Sequence, residues 1–285
     1  MRSGDTEAMD KKKSSVLGIP RELKGNGRLI ISLAQNDFKT RFAGSYLGVI
    51  WAFVQPVVTV FVYWFVFEKA LNVAGRATRA GIEVPYVLWM IAGLVPWFFF
   101  SEAVSFGTSC LLDYNYLVKK VVFNISMLPV VKVVASLFVH LFFIVFMIML
   151  YACYGFYPGP YMLQVVYYSF ATVCLVLGII YITSAVVVFF KDLTQIINIV
   201  LQVLVWMTPI MWNMDGMNLS PTVRTLLMAN PMFYVVDGYR DAMINNVWFW
   251  QKPGLTLYFW IVTLALLALG NFVFGKLKAM LADVL

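Results

Sequence analysis

The chain has 285 residues, of which 62% are hydrophobic and only 12% are charged. Soluble domains are about half apolar and about a quarter charged, so this composition excludes an ordinary soluble domain and indicates a protein of the lipid bilayer. The formal net charge is +7, with 21 basic and 14 acidic residues. The three cysteines are far apart and there is one histidine, so we expect neither a disulfide framework nor a metal site.

The first 43 residues are predicted to form a cytoplasmic tail followed by an amphipathic helix. The first 28 residues are polar, so we expect no cleavable signal peptide. In the stretch "RLIISLAQNDFKTRF", one helical stripe collects the apolar residues Ile30, Leu33, Ala34, Phe38 and Phe42. Such a helix lies in the headgroup plane. It is either a lipid anchor or an element that also touches a soluble partner, and both readings stay open.

Residues 44–285 are predicted to form an all-α domain of six transmembrane helices. The apolar runs fall at residues 44–67, 85–112, 125–156, 162–190, 196–212 and 254–275. Each is long enough for a helix that crosses about 30 Å of hydrocarbon. An even number of spans puts both termini on one side, and nine of the 21 basic residues precede the first span. By the positive-inside rule that side is cytoplasmic. Orientation thus explains the basic excess, and we expect no nucleic-acid partner.

The connection between spans five and six, about residues 214–253, is too long for a simple loop. It contains apolar stretches that are too short to cross the membrane, and they are broken at Asn230 and Pro231. Two short re-entrant helices that dip into the outer leaflet would fit, because backbone at that depth has to be covered by protein.

A search for catalytic motifs gives no candidate active site. The stretch "GNFVFGKL", residues 270–277, has the Gly-x4-Gly-Lys spacing of a phosphate-binding loop. However, Leu277 stands where Ser or Thr is needed, and the stretch ends an apolar helix rather than leaving a strand. His140 lies alone in the third span and is expected to be hydrogen-bonded inside the bundle. We therefore predict a transport subunit with no catalytic residues and no bound cofactor.

Two ionisable residues fall inside predicted spans. Glu102 and Lys132 are each roughly 10–15 Å deep when counted by helical rise, where an unpaired charge is costly. The sequence predicts that they pair with each other, as structural glue more than as a contact for cargo.

Five stretches, in this order and spacing, resemble the permease subunits of type-2 ABC exporters that move lipid-linked polysaccharides and teichoic acids. They are "RFAGSYLGVIWAFVQPVVTVFVYWFVFEKAL", "LVPWFFFSEAV", "NYLVKKVVFNISMLPVV", "VVVFFKDLTQIINIVLQVLVWMTPIMW" and "NPMFYVVDGYRDAM", within about residues 29–278. The resemblance implies a homodimer in the bacterial cell membrane, surrounded by membrane lipid. It also implies two copies of a separate ATPase subunit, which hold ATP and Mg. The residues that the resemblance assigns to ATPase coupling are Asp37, Lys39, Arg41, Tyr116, Lys119, Lys120, Lys191 and Asp192.

The resemblance also assigns the conduit to spans one and five, which are rich in aromatic residues. Aromatic faces stack on sugar rings and offer few tight hydrogen bonds, but interfacial belts and simple packing use the same residues. The predicted path consists of Trp51, Phe53, Phe61, Tyr63, Trp64, Trp206 and Trp212.

The cargo is predicted from resemblance alone. The stretches "AGSYLGVIWAFVQP" and "YWFVFEKAL" favour a wall teichoic acid among lipid-linked glycopolymers. An O-antigen or capsular polysaccharide is the alternative, as is a drug or smaller lipid. Alternatives of another class are a membrane-embedded glycosyl- or acyltransferase and a structural scaffold.

Overall fold

The computed structural model describes residues 23, 25–73, 75–77, 83–118, 124–157 and 159–284, and most of them are helical. The helices are α1 (Gly27–Thr40), α2 (Trp51–Trp64), α3 (Tyr86–Asp113), α4 (Asn115–Val118), α5 (Met127–Cys153), α6 (Gln164–Val187), α7 (Leu193–Met207), α8 (Pro221–Met228), α9 (Pro231–Arg240) and α10 (Pro253–Val284). Short 3₁₀ turns occupy Gly48–Ile50, Pro160–Leu163, Met214–Gly216 and Phe249–Gln251, and π turns occupy Phe65–Ala70 and Asp241–Asn245. One antiparallel ladder pairs β1 (Arg76–Ala77) with β2 (Glu83–Val84).

Five stretches in the described part of the chain are long and apolar enough to cross a membrane. They are Gly48–Ala70, Tyr86–Asp113, Met127–Cys153, Pro160–Val187 and Pro253–Leu281. They correspond to the first, second, third, fourth and sixth predicted spans.

The fifth predicted span, residues 196–212, overlaps only the 15-residue helix α7, which begins at Leu193 and ends at Met207. At 1.5 Å per residue α7 is about 22 Å long, which is short of the hydrocarbon thickness. It ends because Thr208 has an extended backbone, as expected for a residue that precedes proline. A sixth crossing therefore stays a prediction.

Helix α3 is the centre of the bundle, and most of its side chains are buried. Its sequence is mostly apolar around the helix, which is typical of a helix enclosed by others. It packs against α5, α6 and α9, while α6 packs along α10 and α1 lies on α5. The predicted helix before the first span is thus present as α1, and its buried face is Ile30, Ala34 and Asp37. Its position in the headgroup plane stays a prediction.

Helices α6 and α10 approach closely at two glycines. A Cβ added to Gly270 would lie 2.8 Å from the carbonyl oxygen of Gly178, and one added to Gly178 would lie 2.9 Å from Cβ of Leu266. Small residues at a helix crossing let two backbones meet in this way. The whole stretch 270–277 lies inside α10, where Gly270 serves helix packing, so the stretch is not a phosphate-binding loop.

The long connection folds into two short helices, α8 and α9, with the predicted break between them. The Asn230 side chain caps α9 by accepting a hydrogen bond from the Met232 backbone N–H at 3.0 Å, and Pro231 suits the first helical position. Helix α9 is largely buried against α3 and α6.

Candidate functional site

A groove of about 700 Å³ lies between α2, α3 and α7. Its volume is within the range of about 300–1,000 Å³ that is usual for small-molecule sites. Its apolar lining is Phe42, Trp51, Ala52, Pro56, Phe98, Phe106 and Leu201. Its polar lining is Gln55, Thr59, Ser101, Glu102, Ser105, Gln195, Asn198 and Gln202.

The polar lining residues recur at helical spacing, so each helix turns one polar stripe toward the groove. The stripe of α2 is Gln55 and Thr59, that of α3 is Ser101, Glu102 and Ser105, and that of α7 is Gln195, Asn198 and Gln202. The hydroxyl of Ser105 donates a hydrogen bond of 2.8 Å to Oδ1 of Asn198 and so joins α3 to α7. Polar groups inside apolar helices are expensive unless they face one another or a polar space. The three stripes satisfy that condition together.

Five charged side chains form an ion network beside the groove: Glu102, Arg41, Asp37, Lys132 and Asp113. Arg41 contacts Glu102 at 2.8 Å and Asp37 at 3.0 Å. Lys132 contacts Asp37 at 2.8 Å and Asp113 at 3.0 Å. Charges therefore alternate from the groove wall on α3, through α1, to α5. The network fixes the C-terminal end of α1 to the spanning helices α3 and α5.

Asp37 is the centre of the ion network and is 3% exposed. Burial raises the pKa of its carboxyl, but the charge of Lys132, a 2.7 Å hydrogen bond from the Tyr114 hydroxyl and the charge of Arg41 together lower that pKa below its ordinary value. Burial and the neighbouring Asp37 charge raise the pKa of Tyr114. Asp37 is thus held as a carboxylate, with Tyr114 as a neutral donor.

The predicted pairing of Glu102 with Lys132 is wrong. Glu102 pairs with Arg41, and Lys132 pairs with Asp37 and Asp113. Helical rise gives the depth of a residue but not the direction of its side chain or the position of a third helix. Because α1 lies on α5 and ends near α3, it supplies nearer partners to both residues.

The structure divides the predicted coupling residues into three groups. The side chains of Asp37 and Arg41 are buried in the ion network, so any contact with a docked subunit through them would be indirect. Lys39, Tyr116, Lys191 and Asp192 are exposed. Lys119 and Lys120 lie outside the described residues.

The groove contains only one of the seven aromatic residues predicted to line a path. That residue is Trp51. Phe53 is directed away and packs against Phe38 and Phe142, at ring-centroid distances of 6.4 and 4.4 Å. Rotation about the axis of α2 decides between these two surroundings, and an aromatic count does not determine it.

The other predicted path residues are spread over two regions. The ring centroids of Phe61 and Trp64 are 5.7 Å apart, and the ring of Tyr63 packs against that of Phe67. Trp206 and Trp212 line a second, more apolar trough beside α8, which shares Gln202 with the groove. There the Trp212 Nε1–H donates to the Trp206 carbonyl at 2.9 Å.

Sequence reasoning missed the amides of the groove and a buried arginine. The amides carried a signal, since Gln195, Asn198 and Gln202 interrupt an apolar run at spacings of three and four. Arg240 carried none. Its guanidinium donates to the carbonyls of Pro209 and Ile210 at 2.7 and 2.8 Å and lies 3.4 Å from the ring centroid of Trp89. It thereby fixes α9 to the end of α7.

His140 is placed as predicted, hydrogen-bonded inside the bundle. Its Nε2 lies 3.1 Å from both the Ser169 and Tyr239 hydroxyls, and its ring stacks on Phe99 at 4.6 Å. Within the described ranges, no group of three or more His, Cys, Asp or Glu residues could hold a metal ion.

The family model of the ABC-2 type transporter matches residues 28–244, which include α1, the groove, the ion network and α9. The chain belongs to the ABC-2 type transporter family. As a permease of this family, with five helices among its described residues that are long and apolar enough to cross a membrane, it is a multi-pass protein of the bacterial inner membrane.

Curated relatives match the permease over most of its length. It is 29% identical over 233 residues to the O-antigen export system permease protein RfbA of Myxococcus xanthus, covering 81% of the permease and 86% of that relative. It is 24% identical over 259 residues to the RfbA protein of Klebsiella pneumoniae, covering 90% and 95%. These relatives are named as transport subunits, and their names give no support to the teichoic acid interpretation.

Proposed function

We propose that this permease is the transmembrane subunit of an ATP-driven exporter that moves a lipid-linked polysaccharide of O-antigen type out of the cytoplasm. The groove between α2, α3 and α7 carries the proposal, because it combines hydrogen-bonding side chains with aromatic side chains between membrane helices. The O-antigen export relatives favour this cargo over a teichoic acid. Capsular polysaccharide is the nearest alternative cargo.

The energy would come from a separate ATPase subunit that binds ATP and Mg. Its docking face would include α1 together with the exposed Lys39, Tyr116, Lys191 and Asp192, and Lys119 and Lys120 are expected there. A push on α1 needs a stiff route into the spans. The ion network offers one, since Arg41 and Asp37 fix the end of α1 to Glu102 on α3 and to Lys132 on α5.

Two copies of the permease would pair through α2 and α7, with two ATPase copies below them. The support is the exposed apolar surface of these helices. Only 6% of the most apolar window of the first span is buried within one chain. Exposed apolar residues on these two helices include Val58, Phe61, Ile199, Val203 and Trp206. Contiguous apolar surface of this kind marks an interaction site or a lipid contact.

In this arrangement α7 and the residues after it would complete a sixth crossing, so that both termini are cytoplasmic. The helices α8 and α9 would then lie on the outer side as re-entrant elements. Cysteine accessibility labelling of α8 and of the chain termini in intact cells tests this orientation.

The transport proposal is tested by reconstitution. The permease is co-purified with its ATPase subunit, placed in vesicles and supplied with lipid-linked polysaccharide on the ATPase side. We expect polymer to reach the far leaflet only with ATP and Mg, and not when the ATPase subunit carries an inactivating substitution. An assembled complex that hydrolyses ATP and moves no lipid-linked polymer would contradict the proposal.

A further inference from the structure

We infer that the groove selects uncharged sugar chains, through the amide side chains of Gln55, Gln195 and Gln202, and disfavours polymers that carry phosphate in each repeat. This inference rests on the proposed export function and adds the chemical class of cargo that the groove accepts. These three amides would be specificity-determining residues of transport.

The amides have the chemistry that sugar hydroxyls require. All three side chains are exposed toward the groove, and no described residue hydrogen-bonds them. A side-chain amide both donates and accepts hydrogen bonds, and so does a hydroxyl group. Gln55 lies on α2, whereas Gln195 and Gln202 lie on α7. A sugar ring between these helices would meet hydrogen-bonding groups on two sides and the aromatic face of Trp51.

The charges of the groove are unsuitable for a polyanion. Among the described lining residues Glu102 is the one charged side chain. The guanidinium of Arg41 is shared between the carboxylates of Glu102 and Asp37, and it lies 4.0 Å from the ring centroid of Phe106. A phosphodiester in the groove would lose water and meet a carboxylate with no spare cation, which is unfavourable. An uncharged hexose would exchange hydrogen bonds with water for hydrogen bonds with amides, at little net cost.

The test compares two polymers on the same lipid carrier, a lipid-linked polyhexose and a lipid-linked poly(glycerol phosphate). Both are supplied to vesicles that contain the complete complex of permease and ATPase. We expect the polyhexose to be exported at least about tenfold faster, since an intramembrane charge is costly. A charge series at one position then tests the groove itself. Gln202→Lys should reduce the preference for the polyhexose several-fold, and the isosteric Gln202→Glu should increase that preference. The control Asn218→Lys changes an exposed amide outside the groove and should leave the preference unchanged.

The outcomes separate this inference from the transport proposal. If neither polymer moves although the complex hydrolyses ATP, the transport proposal fails. If both polymers move at equal rates, or if the charge series leaves the preference unchanged, transport stands and the selectivity inference is overturned. Gln202→Leu gives an independent check, and it should slow polyhexose export while the complex stays assembled in size-exclusion chromatography. Loss of assembly in this variant would assign the amide to subunit contact and would also overturn the inference.

Discussion

Lys132 is the side chain whose removal we expect to weaken the ion network most. Its side chain is 5% exposed and contacts Asp37, which is equally buried, and Asp113, whose side chain is 44% exposed. Lys132→Met keeps the length and apolar stem of the side chain and removes the charge. Asp37 would then be a buried carboxylate that keeps only Arg41 and the Tyr114 hydroxyl as partners.

The expected loss of stability comes almost entirely from Asp37. Breaking a buried ion pair by removing one partner costs about 3–5 kcal/mol, because a buried charge loses its compensation. The exposed contact with Asp113 adds only about 0–1 kcal/mol. Since Arg41 still compensates part of the Asp37 charge, we expect the free energy of unfolding to fall by about 3 kcal/mol, at the lower end of that range.

A double-mutant cycle isolates the interaction. Asp37→Asn combined with Lys132→Met removes both charges, and we expect the double variant to be less destabilised than the sum of the single variants by about 1–3 kcal/mol. Denaturant unfolding of the purified protein in detergent, followed by tryptophan fluorescence, measures each variant. Lys191→Met is the matched control, because Lys191 is exposed and its loss should change stability by no more than about 0.5 kcal/mol. The reasoning would be refuted if the stability losses of the two single variants simply added up in the double variant. It would also be refuted if Lys132→Met were as stable as the control.

Three further predictions concern stability. Arg240→Met should lower the free energy of unfolding by about 3 kcal/mol, because two carbonyls lose charged donors. A decrease in melting temperature no larger than that of Arg224→Met, at an exposed arginine, would contradict this prediction. Gly270→Ala should cost about 1–3 kcal/mol by overpacking against the Gly178 carbonyl, whereas Gly275→Ala in the same helix, with nothing within 4 Å of its added Cβ, should not destabilise. Asp37 has a lowered folded-state pKa, so its contribution should be fully present above its ordinary value of 3.8 and lost as the pH falls below that value. When unfolding is measured from neutral to acid pH, the free energy of unfolding should fall less steeply in Asp37→Asn than in the parent protein.

The secondary structure followed from local patterns that short segments contain. Long apolar runs gave five of the predicted spans, and the fifth predicted run was interrupted where Thr208 precedes Pro209. The break at Asn230 and the short helices on either side of it were also readable, because capping and proline geometry act within a few residues. Hydrophobicity alone does not decide whether a short helix that ends before a proline belongs to a complete span, so the crossing at α7 stays a prediction.

The partners of charged and aromatic side chains were not readable from local patterns. Glu102 and Lys132 were recognised as needing partners, but their most buried partners, Arg41 and Asp37, come from the C-terminal end of α1, 61 and 95 residues away in sequence. Trp51 and Phe53 are two residues apart and face different surroundings. The rotation of α2 about its axis, set by packing, decides which of them meets the groove.

By itself the sequence determined that this protein is built of membrane helices, because hydrocarbon leaves a backbone few ways to satisfy its hydrogen bonds; its resemblance to a permease family came from the order of five motifs. Only the tertiary structure decided which side chains meet. It brought three polar stripes from α2, α3 and α7 into one groove, and it placed α1 against the spans so that five charges compensate one another. These arrangements depend on how helices rotate and approach in three dimensions, which periodicity along a single chain does not specify.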